Sequence, residues 1–300
     1  MTTTNGLLLV DKPSGLTSHD VVAAVRKILH EKKVGHAGTL DPMATGLLVL
    51  AIGPSTRLLR FAQSEVKRYT GAVKFGVATD SLDADGAVNG DGPVPTLSSD
   101  EMNAVAQTFT GDQRQTPPMV SALKVGGKRL HELARAGVEV ERASRDITVS
   151  HFALETTEDA NVWNFDVECS VGTYVRVLLS DVANRLGTVG HLVALRRIAS
   201  GSHDVKDALT LETLSALVEE GSAVVRPPAD FVTALEQVAL SDDEERKVRM
   251  GQRLNLSASF SGREIAARST SGALIGVLRR RDESWQPQVV LPPASDEARG

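Results

Sequence analysis

The clearest alternation of apolar and polar positions lies near the middle of the chain, in residues 163–171. A period of two is typical of a strand that places one face in the core and the other in water. A second alternation covers residues 67–77, with Tyr69 at its start. We therefore predict a half-buried strand in each segment. The apolar positions of the first are Trp163, Phe165, Val167, Cys169 and Val171.

Two further segments are apolar without alternation. Residues 6–10 end at a cluster of turn-forming residues, 12–15, and indicate a short strand. Residues 47–52 lie between Gly46 and Gly53. This length suits a strand that is buried on both faces, although periodicity alone does not distinguish it from a buried helix.

Four segments have the signals of helices. Thr17 or Ser18 is a candidate N-cap for a helix with Asp20 in its first turn. Residues 99–109, 177–186 and 211–220 are the other candidates, the second of them ended by Gly187. If the strand of residues 163–171 keeps its register beyond Gly172, Tyr174 and Arg176 share its polar face, because residues two apart lie on one side of a strand.

The remaining segments suggest how the chain is divided. Residues 80–99 are rich in turn-forming residues and predict a loop or a pair of turns. Residues 110–145 mix prolines, glycines and basic residues, and we expect them to project as a mobile arm. A linker is predicted at 226–230. Three hundred residues are enough for one large domain and a small one.

Composition is that of an ordinary globular protein, with 41% hydrophobic and 24% charged residues. The net charge of −5 argues against a nucleic-acid ligand only if the charges are evenly spread. They are not, because residues 114–145 contain seven basic side chains and three acidic ones, and residues 57–74 contain five against one. Each window alone is compatible with an ordinary solvated surface, and together they indicate a polarised molecule.

Several classes of chemistry lack their sequence signals. Phosphate-binding glycine motifs, the serine hydrolase elbow and paired histidines at metal-ligand spacing are absent from the sequence. One cysteine, Cys169, excludes an internal disulfide. No apolar run approaches the length of a membrane span, and the first residues do not resemble a signal peptide. We therefore expect a cytoplasmic protein that uses no metal or cofactor and binds no membrane.

Residues 35–46 contain three glycines and a proline and predict a shaped loop ahead of the buried segment 47–52. Asp41 is the acid of this loop, and Pro42 restricts its backbone to extended conformations. A single loop aspartate is usually a turn former whose side chain bonds to its own backbone. The chemistry of the residues alone therefore leaves both a turn-forming and a catalytic role open.

The same loop, GHAGTLDPMATGLL, closely resembles the signature of the TruB family of tRNA pseudouridine synthases. Six other segments resemble the family in the same order, spanning roughly residues 6 to 200, and seven ordered matches are far more specific than one short motif. One departure is Val120, where many relatives carry tyrosine. The other segments are residues 11–20, 67–69, 83–86, 117–124, 172–176 and 195–197.

The resemblance implies an α+β fold with a mixed, largely antiparallel central sheet flanked by helices. It implies a catalytic pseudouridine synthase domain in residues 1–228, with an RNA-gripping thumb insertion at about 110–145. Residues 231–293 resemble, more weakly, a small β-rich PUA-like RNA-binding domain. Residues 294–300 are expected to form a disordered tail.

The resemblance also implies roles for the residues that match. Asp41 is expected to be the nucleophile and Arg176 the cation that pairs with it, while Tyr69 stacks on the base and transfers a proton. Leu195 resembles the apolar wall against the base, and His36 the histidine that fills the space left by flipped bases. Lys12 resembles a support beneath the pocket. Tyr174 and three basic residues of the thumb complete the predicted substrate contacts: Lys124, Lys128 and Arg129.

Three functions remain open at this point. The first is isomerisation of uridine 55 in the T loop of tRNA to pseudouridine by a monomer that needs no guide RNA. The second is pseudouridine formation in another RNA, directed by guide RNA and partner proteins, which the long thumb disfavours. The third is a non-catalytic RNA-binding or RNA-folding role. Retention of Asp41, Tyr69, Arg176 and Leu195 argues against the third, although a catalyst can also fold RNA.

Overall fold

A computed structural model describes residues 5–63, 66–121, 124–125, 127–130, 138 and 140–293. The predicted tail, residues 294–300, lies outside the described residues. So do parts of the predicted arm, including the side chains of Lys124, Lys128 and Arg129.

The described chain alternates strands with six α-helices. The helices are α1 (Ser18–Ile28), α2 (Leu59–Gln63), α3 (Ser99–Gln107), α4 (Val175–Arg185), α5 (Leu211–Glu219) and α6 (Asp242–Arg249). Short 3-10 turns cover Gly53–Leu58, Val205–Asp207 and Pro228–Phe231. The strands are β1 (Gly6–Lys12), β2 (Val34–His36), β3 (Thr45–Ile52), β4 (Lys67–Phe75), β5 (Val77–Thr79), β6 (Val88–Asp91), β7 (Gly111–Gln115), β8 (Lys124–Val125), β9 (Lys128–Arg129), β10 (Arg145–Thr156), β11 (Val162–Cys169), β12 (Gly190–Ser200), β13 (His203–Asp204), β14 (Glu236–Ala239), β15 (Glu264–Arg268), β16 (Leu274–Arg281) and β17 (Ser284–Val290).

A nine-stranded sheet forms the centre of the fold, in the order β1-β3-β12-β4-β11-β10-β7, with β2 paired to β3 and β13 to β12. Its neighbours are antiparallel except for β3 and β12, which run parallel. The mixed, largely antiparallel sheet of the sequence prediction is thereby confirmed. Strand β12 comes late in the chain yet lies between β3 and β4, so it brings residues 195–197 next to the Asp41 loop and Tyr69.

Both faces of β1 are buried, which explains its continuous apolar sequence. Leu8 packs with Val21 of α1, whereas Leu7 packs with Val277 of the C-terminal sheet. Burial on both sides removes the polar face that would otherwise produce alternation. Helix α1 begins as expected with Thr17 as N-cap in a capping box, an arrangement that stabilises a helix by about 1 kcal/mol.

The C-terminal part of the chain is β-rich. Its four strands are ordered β14-β15-β16-β17, with helix α6 packed on them. Trp285 and Leu240 lie in the small core of this sheet, while Val277 and Leu291 belong to the apolar cluster shared with β1. The start of the predicted linker is bound to β1, because Arg226 and Leu7 form two backbone hydrogen bonds with each other, at 2.7 and 2.9 Å.

Three predictions of local structure were wrong. Residues 111–115 are not part of a projecting arm but form β7, the edge of the central sheet, and Arg145 begins β10. Residues 80–99 contain β6, which pairs with β5. Short polar strands of this kind have no apolar alternation, because they contribute little to the core.

The third error concerns Tyr174 and Arg176, which do not share a strand face. Strand β11 ends at Cys169, and Gly172 adopts a left-handed backbone conformation with φ 88°. The chain then turns into α4, of which Tyr174 is the N-cap. The period therefore changes from that of a strand to that of a helix between the two motifs.

Candidate active site

The loop that carries Asp41 is braced from below by Lys12. The Lys12 side chain is fully buried, and its ammonium group donates to the carbonyl oxygens of Pro13, Leu16 and Pro42 at 2.8, 2.6 and 3.1 Å. All three of its donors are occupied. Burial lowers the pKa of Lys12, although the Asp41 carboxylate opposes that change. Lys12 therefore braces the backbone of this loop and has no N–H left for a substrate.

Two further buried side chains hold the same loop. The Ser18 hydroxyl accepts from the Leu40 amide at 2.9 Å and lies 3.2 Å from the Leu40 carbonyl oxygen. Arg197, which is 1% exposed, donates to the carbonyls of Gly38 and Leu47 at 3.2 and 2.7 Å. The backbone on both sides of Asp41 is therefore fixed by groups from β1, α1 and β12.

Gly46 explains how β12 comes so near this loop. Its φ is 98°, and a Cβ atom placed on it would lie 2.3 Å from the Arg197 carbonyl oxygen. Only glycine combines that backbone conformation with that distance. The glycine of the motif is thus required for the sheet pairing that brings residues 195–197 to Asp41.

Arg176 connects two aspartates. Its Nε lies 3.1 Å from Asp41 Oδ2 and its Nη1 3.0 Å from Asp83 Oδ2. It also donates to the carbonyls of Ser81, at 2.8 Å, and Val120, at 3.0 Å. Val120 accepts this hydrogen bond through its backbone carbonyl, so the departure from tyrosine at this position leaves the hydrogen bond from Arg176 to residue 120 intact.

Asp83 is a site residue to which the sequence analysis gave no role. It is 4% exposed and accepts hydrogen bonds from the Ser81 hydroxyl and the Asp85 amide as well as from Arg176. The available signal was the match at residues 83–86. Nothing in that string showed that it faces Arg176, because 93 residues separate the two in the chain.

The electrostatic environment of Asp41 is mixed. Removal from water raises the pKa of its carboxyl group, the Arg176 guanidinium opposes that shift, and the Asp83 carboxylate adds to it. Asp41 nevertheless keeps 36% of its side chain exposed, in contrast with 3% for Arg176. The carboxylate is thus aimed by a buried cation while one side stays open to the pocket.

The opposite wall of the pocket is formed by Tyr69 and Leu195. Both are 8% exposed, and they lie on the adjacent strands β4 and β12. Burial raises the pKa of the Tyr69 phenol, which is hydrogen-bonded to Arg197. The phenol is therefore a neutral hydroxyl next to an apolar surface, and it can stack against a planar ring.

These side chains line one cavity of about 310 Å³. Asp41, Tyr69, Tyr174, Arg176 and Leu195, five of the predicted site residues, all contribute to it. A larger cleft of about 690 Å³ lies between the C-terminal sheet and the central domain. We place the chemistry in the smaller cavity because it contains the open carboxylate.

His36 lies outside the lining of this cavity. Its ring makes an edge-to-face contact with His19, at 5.5 Å between centroids. Burial is the main reason for its lowered pKa, with the charges of His19 and Arg197 acting in the same direction, so the ring is neutral near pH 7. The backbones of Lys124 and Arg129 are register partners in the short β8–β9 pair.

Other nucleophiles and metal ligands are not assembled in the described ranges. No group of three or more His, Cys, Asp or Glu residues there has metal-binding geometry. Burial raises the pKa of the Cys169 thiol to about 11, which keeps it protonated. Helices long and apolar enough to cross a membrane are likewise absent from the described part of the chain.

Comparison with solved structures agrees with this architecture. The chain superimposes on a protein in the crystal structure of a Cbf5-Nop10-Gar1 complex with a TM-score of 0.71 and 26% identity, covering 91% of this chain and 78% of that one. Residues 26–175 match the model of the TruB family pseudouridylate synthase N-terminal domain, and residues 176–238 match the tRNA pseudouridylate synthase B C-terminal domain. The class is therefore that of pseudouridylate synthases.

Curated relatives make the assignment more specific. A protein of Heliobacterium modesticaldum named tRNA pseudouridine synthase B is 42% identical, with 95% of each chain covered. One of the same name from Leifsonia xyli is 41% identical, covering 96% of this chain and 97% of that one. The chain belongs to the TruB family and is an RNA pseudouridine synthase.

Proposed function

We propose that this enzyme converts uridine 55 in the T loop of tRNA to pseudouridine, with Asp41 as its nucleophile. The names of relatives that match nearly the whole chain support tRNA as the substrate. The observation that carries the role of Asp41 is its carboxylate, open to a cavity and bonded to buried Arg176 at 3.1 Å.

The reaction is an isomerisation. The N1–C1′ bond of the uridine breaks, the uracil turns within the pocket, and C5 forms the new bond to C1′. The hydrogen on C5 leaves as a proton, and N1 ends with a proton of its own. Because no electrons are gained or lost, the reaction requires no redox cofactor, and a carboxylate nucleophile with a proton donor and acceptor is sufficient.

The uridine must first leave the stacked loop, at a cost of about a few kcal/mol. Tyr69 and Leu195 offer an aromatic and an aliphatic surface that recover part of this cost by contact with the uracil ring. The Tyr69 hydroxyl can then move a proton at the base. Arg176 favours the ionised form of Asp41 and fixes its direction. His36 is assigned to the space that flipped bases vacate.

RNA affinity comes from basic groups outside the pocket. Lys124, Lys128 and Arg129 of the thumb are assigned to phosphates of the T arm, and the β-rich domain to a further part of the tRNA. In that domain Arg263 and Arg281 are exposed. We expect a cytoplasmic monomer that recognises its substrate directly and needs no guide RNA.

Tritium release tests the proposal. RNA transcribed with 5-tritiated uridine loses its label only when C5 becomes the glycosidic carbon. We expect release of one equivalent from tRNA whose sole tritiated uridine is at position 55, and none from the same tRNA with cytidine there. A non-catalytic RNA-binding protein would bind both RNAs and release nothing, which would contradict the proposal.

A further inference from the structure

One cation of the pocket has no hydrogen-bond or carboxylate partner among the described residues. Arg176 and Arg197 donate to carboxylate or carbonyl oxygens, whereas the side chain of Arg145 forms no hydrogen bond to any described residue. Its Nε is buried and unpaired, and no carboxylate of the described ranges lies within 4.0 Å of the guanidinium. A buried charged donor without a hydrogen-bond partner is costly, so this position at the wall of a substrate cavity suits Arg145 for binding an anion.

The guanidinium packs against an aromatic ring. Its Cζ lies 4.6 Å from the centroid of the Tyr174 ring, a cation–π contact. A Cβ atom placed on Gly172 would lie 3.3 Å from Nη1 of Arg145. The guanidinium therefore lies close to the backbone of a residue without a side chain. Neither contact is a hydrogen bond, so neither one uses an N–H of the guanidinium.

The backbone around this group is equally fixed. Arg145 pairs with Gln115 across β10 and β7. The Gln115 side chain is buried; it accepts from the Tyr174 amide at 2.7 Å and donates to the Tyr174 carbonyl at 3.1 Å. Arg145 and the ring that supports it are therefore anchored to the same pair of strands.

The shape and charge of this group define the ligand. A guanidinium edge forms two parallel hydrogen bonds with a phosphate or carboxylate, and RNA supplies phosphates. With the uracil against Tyr69 and Leu195 and the ribose at Asp41, the adjoining phosphates fall within reach of the part of the cavity wall that Arg145 lines. We propose that Arg145 binds a backbone phosphate next to the flipped uridine, an assignment that rests on the proposed function.

A double-substitution cycle tests this contact. One partner is Arg145→Gln, which keeps a planar polar group against Tyr174 and removes the charge. The other is a T-arm stem-loop in which a neutral methylphosphonate replaces one of the two phosphates on either side of the target uridine. For wild type we expect about a tenfold loss of affinity at one position. The Arg145→Gln variant should bind the natural RNA about tenfold more weakly than wild type does. Its affinity should not fall further with the RNA that carries the methylphosphonate at that position.

Arg185→Gln is the matched control, because Arg185 is an exposed arginine at the last turn of α4, away from the cavity. It should keep wild-type affinity and sensitivity to the methylphosphonate. Arg145→Ala, which also removes the contact with Tyr174, should couple to the same phosphate as Arg145→Gln. Additive losses at both of these phosphates would overturn the phosphate assignment.

Tritium release measured on the natural stem-loop keeps the two proposals apart. If wild type releases tritium but the losses of affinity in the double-substitution cycle are additive, the Arg145 contact is rejected and the proposed reaction is retained. Binding and coupling without any release would reject the proposed reaction while retaining the phosphate contact. Absence of both binding and release would reject both proposals.

Discussion

The cations of the active site and those of the C-terminal sheet are held in opposite ways. Arg176 and Arg197 are 3% and 1% exposed, and their positions are fixed by carboxylates and carbonyls. Arg263 and Arg281 of the β-rich domain are exposed and have no carboxylate within 4.0 Å among the residues described. A buried charge is costly unless it is hydrogen-bonded or paired. The partners that stabilise it also fix the orientation of its side chain. Exposed charges are mobile and screened, which suits them for affinity.

The largest effect is expected from Asp41→Asn, which removes the charge that Arg176 holds. Turnover should fall by at least about a thousandfold, as for removal of other nucleophiles. Affinity for tRNA should change little, because it comes mainly from phosphate contacts elsewhere. Tritium release and binding isotherms measure the two quantities separately. Residual release within tenfold of wild type would remove Asp41 from the nucleophile role.

Asp83→Asn should have the next largest effect, by loosening Arg176 from one side. We expect kcat to fall about 10- to 100-fold, because a small displacement of catalytic groups has a cost of this order. A change confined to KM would contradict this role for Asp83.

The pKa of Asp41 predicts the direction in which activity changes with pH. The pKa of Asp41 is raised above its ordinary value of 3.8. Because the nucleophile must be ionised, activity should fall as the pH drops through this raised pKa. Removing the Asp83 charge should move this acid limb to lower pH. Asp85→Asn is the matched control, since Asp85 is exposed and acts on Asp41 in the same direction. It should give a smaller shift and leave the plateau rate unchanged.

Neutralising the thumb should affect binding and not chemistry. The triple substitution of Lys124, Lys128 and Arg129 by glutamine should lower the log–log salt slope of tRNA binding by up to about three units. The rate at saturating RNA should fall much less, because uniform binding affects KM before kcat. Binding isotherms at several salt concentrations measure the slope. Wild-type affinity and slope in this variant would mean that the thumb does not clamp the RNA.

A smaller effect is expected in the C-terminal sheet. Arg263→Gln combined with Arg281→Gln should lower the salt slope by up to about two units and leave kcat unchanged. The Arg185→Gln variant is again the control for loss of one exposed arginine. An unchanged slope in the double variant would place these arginines outside the RNA interface.

The smallest effect is expected from metal removal. The proposed reaction is carried by a carboxylate, an arginine and a phenol, so exhaustive dialysis against a chelator should leave the rate within experimental error. Prefolded RNA must be used, because divalent ions also fold tRNA. A strict requirement for added metal under those conditions would contradict the mechanism.

Local chemistry was predictable from the sequence where the signal lies in neighbouring residues. Thr17, one of the two N-cap candidates, forms the capping box of its helix. The alternation in residues 163–171 located β11, which ends at Cys169. The errors fell where the signal was weak: β6 and β7 are short and polar, and Gly172 ends one periodicity before another begins.

By itself the sequence determined the family, the main strands and five of the residues that line the cavity. Only the tertiary structure decided which of them touch. Asp41 precedes β3 and Arg176 lies in the first turn of α4, and they meet although β12 and β4 separate β3 from β11 in the sheet. Periodicity describes the faces of a strand but not its neighbours.

The same limit applies to Asp83, Arg145 and Lys12. Their burial and partners depend on contacts between residues up to 93 positions apart, such as Arg176 with Asp83. A charged side chain has the same sequence signature whether it is solvated, as Arg281 is, or buried and bonded, as Lys12 is. Desolvation and pairing are properties of the folded chain, so the electrostatics of the site could be obtained only from its three-dimensional arrangement.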